Sequence, residues 1–124
     1  YGLTIHIGTT LLDPKRNLSL GAIHLNHLIE EFDGNLILVL AAYNAGTGNV
    51  RKWLEIFGDP RTKKIPWLEW MELIPYYETR NYVQRVLENL VIYQYKFSTN
   101  KKACYNLEQL VTLSPKILKN KSLG

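Results

Sequence analysis

Residues Leu36 to Ala42 form an unbroken apolar run, and this run constrains the fold more than any other part of the chain. It is too long for a comfortable surface and too short to cross a bilayer, so it predicts a buried helix around which the other elements must pack. The end of that helix therefore lies near the core. It is followed by Tyr43, Asn44, Ala45, Gly46, Thr47, Gly48 and Asn49, which place a phenol, amides and two glycines where one helix yields to the next. Gly46 and Gly48 can take positive φ and let a ligand or another backbone come close. Thr47 or Asn49 can cap the next helix, which carries Val50, Trp53, Leu54 and Phe57. Tyr43 and Asn44 fall on the last turn of the buried helix, where the amide is a satisfied core group, a C-terminal cap or part of a binding site.

The other segments also read as helices. Asp13 and Pro14 form an N-cap and first-position pair, and Leu18, Ala22, Leu25, Ile29 and Phe32 recur at helical intervals until Gly34, read as a glycine stop. After the helix that ends at Phe57 comes a loop from Gly58 to Pro66. A short aromatic helix then holds Trp67, Trp70 and Met71, and Pro75 ends it. From about Thr79 to Phe97, the residues Val83, Val86, Leu87, Leu90, Val91 and Gln94 trace one face of a long helix that packs on the buried one. Beyond Ser98 the pattern weakens: Asn106 to Leu113 reads as a short helix and Lys116 to Gly124 as a loose basic tail. The expected class is all-α. At 124 residues with 46% hydrophobic content the chain makes one small domain at most. Its formal net charge of +4 suits a polyanionic partner but does not say which. The lone Cys104 cannot form an internal disulfide.

The Ala42-Tyr43-Asn44-Ala45-Gly46 segment resembles a motif of the soluble lytic transglycosylases, lysozyme-like enzymes that cleave bacterial peptidoglycan. The resemblance extends over about residues 11 to 97. Leu12-Asp13-Pro14 with Asn17, Leu20-Gly21-Ala22 and Leu25 is similar to the start of a family helix, and Phe32-Asp33-Gly34-Asn35 follows the same order. Gly58-Asp59-Pro60-Arg61, Trp67, Glu72 and the segment from Ile74 to Leu87 continue it. Thr47 stands where these enzymes commonly carry proline. The family's Glu-Ser pair, which supplies the catalytic acid, and its Gly-Leu-Met-Gln motif are both missing, since Gly2-Leu3 is followed by Thr4 and Ile5 and no Glu precedes Glu30. The expectation is a lysozyme-like helical domain lacking its first helices and its catalytic Glu. Residues 1–97 would be the C-terminal part of the transglycosylase domain, and residues 98–124 an extension, weakly structured or a short helix.

The resemblance implies a reaction with one carboxyl group. The muramic acid's own 6-hydroxyl attacks its anomeric carbon, giving a 1,6-anhydro product without water, while a single Glu serves as acid and then base. Neutral dipoles around the sugar's N-acetyl group then take over the stabilising role of a second carboxylate. Tyr43 and Asn44 match the family positions for that work, with Ala45 and Gly46 completing the substrate-binding turn. Glu78, at the start of the long helix, is either a capping charge held by the helix dipole or a groove-side carboxylate that binds but does not transfer a proton. Tyr76 either lines the same groove or packs in the core.

The remaining acids, Glu30, Glu31, Glu55, Glu69, Glu72 and Glu88, read as solvated charges. His24 and His27 can share a helix face but have no third ligand, and His6 has no motif around it, so no metal site is expected. Trp53, Trp67 and Trp70 read as core residues before stacking platforms. No metal or organic cofactor is implied. The expected partner is the peptidoglycan glycan strand, with other cell-envelope proteins possible, in the bacterial periplasm or envelope. Two rival readings remain: a wall-binding or scaffolding domain without activity, and a small basic helical DNA-binding domain. The second is weakened because the helix after Gly48 offers only Arg51 and Lys52 before turning apolar and acidic, and nucleic acid is not expected as a partner.

Overall fold

The computed structural model describes residues 14–123, with side-chain surroundings described from Gly21 to Lys119. Asp13, Leu12, His6 and the first residues of the family-like segment lie outside the described residues, as does the side chain of Leu18. Among the described residues there are six α-helices and no strand, the all-α class expected. In chain order they are α1 (Pro14–Glu31), α2 (Leu36–Ala45), α3 (Thr47–Phe57), α4 (Trp67–Glu72), α5 (Tyr77–Phe97) and α6 (Leu107–Leu123). Short 3-10 turns stand at Pro60–Thr62 and Lys101–Ala103.

Helix α2 is the axis of the fold. Ile37, Leu38, Val39, Leu40, Ala41 and Ala42 are all buried, and α1, α3, α5 and α6 pack around them. A helix apolar on every side is stable only when surrounded, and each buried branched side chain contributes roughly 1.5–3 kcal/mol relative to exposure. Leu28, Ile29 and Phe32 come from α1, Val50 and Trp53 from α3, Trp70 and Met71 from α4, Val83 and Leu87 from α5, and Leu110 and Val111 from α6. Ala22, expected on the buried stripe of α1, is exposed. Leu25, Ile29 and Phe32 do face the core as expected, and Leu28 joins them.

The turn between α1 and α2 differs from a simple glycine stop. Asp33 takes the left-handed position at φ 57°, and the Gly34 N–H donates to the Ile29 carbonyl at 2.7 Å while the Asp33 N–H donates to Glu30 at 3.4 Å. This is the paired arrangement of a Schellman motif, with Gly34 one residue further along than a glycine stop requires. Gly34 has its own reason to be glycine. Its φ is +74°, and a Cβ there would lie 3.1 Å from Cα of Pro115 in α6.

Helix α6 is the main departure from expectation. Lys116 onward, expected as a loose tail, continues the helix to Leu123. The segment is anchored by Ser114, which is buried. Its Oγ accepts the Leu36 N–H at 3.0 Å, and it donates to the Val111 carbonyl at 2.9 Å. Proline at position 115 has no N–H to give Val111, so the serine hydroxyl takes that place. The start of α2 is thus closed from two directions, because Asn35 Oδ1 also accepts the Leu38 N–H at 3.1 Å.

A charge cluster pins the same end. Arg61 lays its fork on Asp59, with Nε to Oδ1 at 3.0 Å and Nη2 to Oδ2 at 2.8 Å, and reaches Asp33 through Nη1 at 3.1 Å. Burial raises the Asp59 carboxyl, but the Arg61 guanidinium and backbone N–H outweigh it and hold the group below the usual carboxylate range. No helix among the described residues is long and apolar enough to cross a membrane.

Candidate functional site

The C-terminal end of α2 and the first turn of α5 meet at one place, and the residues singled out from the sequence gather there. Asn44 is exposed on the last turn of α2. Its Oδ1 accepts a hydrogen bond of 2.7 Å from the Thr79 hydroxyl, which comes from the first turn of α5. Of the three readings of this amide, the buried core group and the C-terminal cap are both excluded. The amide stands on the surface, and the α2 C-terminus is closed by the Gly46 N–H, which donates to the Ala42 carbonyl at 2.8 Å.

Gly46 makes the sharp junction between α2 and α3. Its φ of +92° is one that L side chains rarely adopt, and a Cβ there would meet nothing within 4 Å, so the backbone faces open space. Gly48 does not share this conformation and lies within α3. Neither Thr47 nor Asn49 caps α3, because Gly46 itself occupies the N-cap position with no side-chain bond. Asn49 turns back instead, and its Nδ2 donates to the Ala45 carbonyl at 2.7 Å. The Tyr76 hydroxyl reaches Asn49 Oδ1 at 3.5 Å, while its ring stands edge-on to Trp53 at 5.2 Å. Tyr76 is 49% exposed, so the core alternative for it fails.

Tyr43 is half-buried, with its ring 5.6 Å from that of His24. Burial raises its phenol above the ordinary value. Tyr82 of α5 is raised further, by burial and by the neighbouring Tyr43, and its buried hydroxyl has no hydrogen-bond partner among the described residues. Both phenols therefore stay neutral well past neutral pH. Glu78 is exposed on the first turn of α5, beside Thr79, and its carboxylate makes no ion pair or hydrogen bond among the described residues. Arg80 holds this turn in place, with Nη1 donating to the Ile74 carbonyl at 3.2 Å.

The arrangement brings together Tyr43, Asn44, Ala45, Gly46, Tyr76 and Glu78 around one helix junction. It presents neutral dipoles with a carboxylate on the next helix. Trp53 and Trp70 are buried and serve the core, not as open stacking faces, and their rings lie 6.5 Å apart. Among the described residues no group of three His, Cys, Asp or Glu is placed to hold a metal ion. Thr79 and the back-turned Asn49 were not legible as parts of this site. The signal for Thr79 was its place on the stripe with Val83 and Leu87, where a buried polar group needs a partner.

A helical domain built on one buried helix, with an exposed polar turn at its end, is the class that the fold and site define. Comparison with known proteins makes it specific. The family described as Transglycosylase SLT domain matches residues 5–66, and the Soluble lytic transglycosylase helical domain matches residues 73–102. A putative soluble lytic murein transglycosylase of Haemophilus influenzae is 38% identical over 100 residues, covering 81% of this chain and 16% of that protein. The soluble lytic murein transglycosylase of Escherichia coli K12 is 40% identical over 85 residues, covering 68% of this chain and 13% of that protein. No solved structure matches the chain. The chain belongs to the SLT transglycosylase family, and it spans about one seventh of the length of these relatives.

Proposed function

We propose that this chain forms part of a peptidoglycan lytic transglycosylase acting in the bacterial periplasm or cell envelope. The reaction is non-hydrolytic cleavage of the β-1,4 bond between N-acetylmuramic acid and N-acetylglucosamine. The 6-hydroxyl oxygen of the muramic acid bonds to its own anomeric carbon as the glycosidic C–O bond breaks. A carboxylic acid protonates the leaving oxygen, and the carboxylate so formed takes the proton of the 6-hydroxyl. The product ends in 1,6-anhydro-N-acetylmuramic acid, and no water is consumed.

One observation carries this reading: Asn44, in the family-like motif, stands exposed at the end of a buried helix with its carbonyl oxygen already engaged. An amide held this way offers a fixed dipole to a bound sugar without ionising. Tyr43 adds a neutral phenol, Gly46 a turn with room beside it, and Glu78 and Tyr76 border the site as binding residues. Fixed dipoles of this kind are worth most where charge develops, as on the anomeric carbon. No Glu precedes Glu30, so the acid is assigned to residues outside this chain, and the 124 residues alone are expected to be inactive.

The test is mass spectrometry of muropeptides released from purified peptidoglycan. The 124-residue chain should release no anhydro products, and Asn44→Ala in an active, longer form should slow turnover while the helical circular dichroism stays unchanged. Anhydro products from the chain alone would overturn the assignment of the acid. Hydrolytic products from the longer form would overturn the reaction itself.

A further inference from the structure

We propose that Thr79 is a positioning residue: it fixes which end of the Asn44 amide faces the sugar, so that the site takes the carbonyl oxygen of an N-acetyl group. This rests on the glycan reading above. Thr79 is only 2% exposed and shares the buried stripe of α5 with Val83 and Leu87. Its hydroxyl has one proton, and Asn44 is its one hydrogen-bond partner among the described residues. The two oxygens are 2.7 Å apart, within the usual O–H···O range, and of the two only the hydroxyl carries a proton. The hydroxyl is therefore the donor and Asn44 Oδ1 the acceptor.

The opposite amide orientation is disfavoured for a definite reason. Turning Nδ2 toward Thr79 would place a donor against the hydroxyl and leave the hydroxyl proton without an acceptor in a buried position. Thr79 thus acts as a polarity key: it engages the oxygen of Asn44 and leaves the NH2 group, which has no partner among the described residues, to meet a ligand. A ligand meeting that NH2 must offer an acceptor. The carbonyl oxygen of an acetamido group does so, whereas the ammonium of a deacetylated sugar sets donor against donor. Discrimination of this kind is strong because the wrong ligand leaves a polar group unpaired.

The experiment titrates the full 124-residue chain with chitotetraose and with its deacetylated counterpart, following the Asn44 side-chain NH2 signal by 15N NMR. Chitotetraose should shift that signal and the deacetylated oligomer should not. Thr79→Val should weaken chitotetraose binding about tenfold or more and shrink the shift, whereas Thr79→Ser should bind within about twofold of the parent. Asn44→Asp, at an exposed position that tolerates the change, keeps the acceptor for Thr79 but removes the NH2 donor, and should abolish acetyl-dependent binding. Unchanged binding in Thr79→Val or in Asn44→Asp, or a Thr79→Ser variant as weak as Thr79→Val, overturns the proposal. Failure of the parent chain to bind chitotetraose at all overturns the glycan reading itself, a result distinct from a binding parent with an indifferent Thr79.

Discussion

Replacing Ser114 by alanine tests whether α6 is an integral part of the core. Ser114 is 3% exposed and serves two backbone groups at once, the Leu36 N–H and the Val111 carbonyl. Alanine leaves both without a side-chain partner. A buried polar group stripped of its partner costs about 1–3 kcal/mol, and Leu36, being only half-buried, recovers part of its loss from water. A net loss of about 2 kcal/mol follows. For a chain of this size 1 kcal/mol moves the melting temperature by roughly 3–5 °C, so Ser114→Ala should melt about 6–10 °C lower. Thermal melts by circular dichroism measure it, with Thr112→Ala as control, since the Thr112 hydroxyl bonds only on an exposed face. The control should stay within about 0.5 kcal/mol of the parent. A second comparison isolates the carbonyl: in a Pro115→Ala background the restored N–H can reach Val111, so Ser114→Ala should cost less there. A melting temperature for Ser114→Ala within 1–2 °C of the parent (roughly half a kcal/mol by the same scaling) would refute the reasoning.

Two further outcomes concern the Tyr82 hydroxyl and the half-buried Asp59 carboxylate. Tyr82→Phe removes a buried hydroxyl that has no partner among the described residues, so it should leave stability unchanged or raise it by up to about 1 kcal/mol, measured by urea unfolding; a clear loss would mean the hydroxyl is bonded. Asp59 has its folded carboxyl held below its ordinary value of 3.8, so its contribution is present above that value and is lost as pH falls through the lower folded value. Melting temperatures at pH 7 and pH 3 should therefore differ less in Asp59→Asn than in the parent, and an equal difference would contradict the role given to Arg61.

What the sequence disclosed depended on how local the signal was. The apolar run from Leu36 to Ala42 announced a buried helix because every residue in it is apolar, and the four-residue spacing of Val83 and Leu87 announced the face of α5. The motif at Tyr43 and Asn44 pointed to the candidate site through resemblance alone. The first half of helix α6 is legible as the short helix expected over Asn106 to Leu113, but its continuation is not, because the pattern is interrupted at Ser114 and Pro115 and Ser114 makes its contact with Leu36, far away in sequence. The α3 cap was misread for a related reason. Thr47 and Asn49 have the right chemistry, but the positive φ of Gly46 turns the chain so that the glycine takes the cap position. Asp33 likewise carries the left-handed conformation that Gly34 seemed to claim, because the next residue is needed as glycine against α6.

The serine at position 114 lies beyond both segments that match known families, yet it closes the helix on which the whole domain is built. A shortened polypeptide ending at the last family-matched residue would keep every motif and still take the serine from the Leu36 N–H, leaving the first turn of that helix to the Asn35 cap alone. Boundaries drawn from family likeness and boundaries drawn from folding do not coincide in this molecule, and the second set extends at least one helix further.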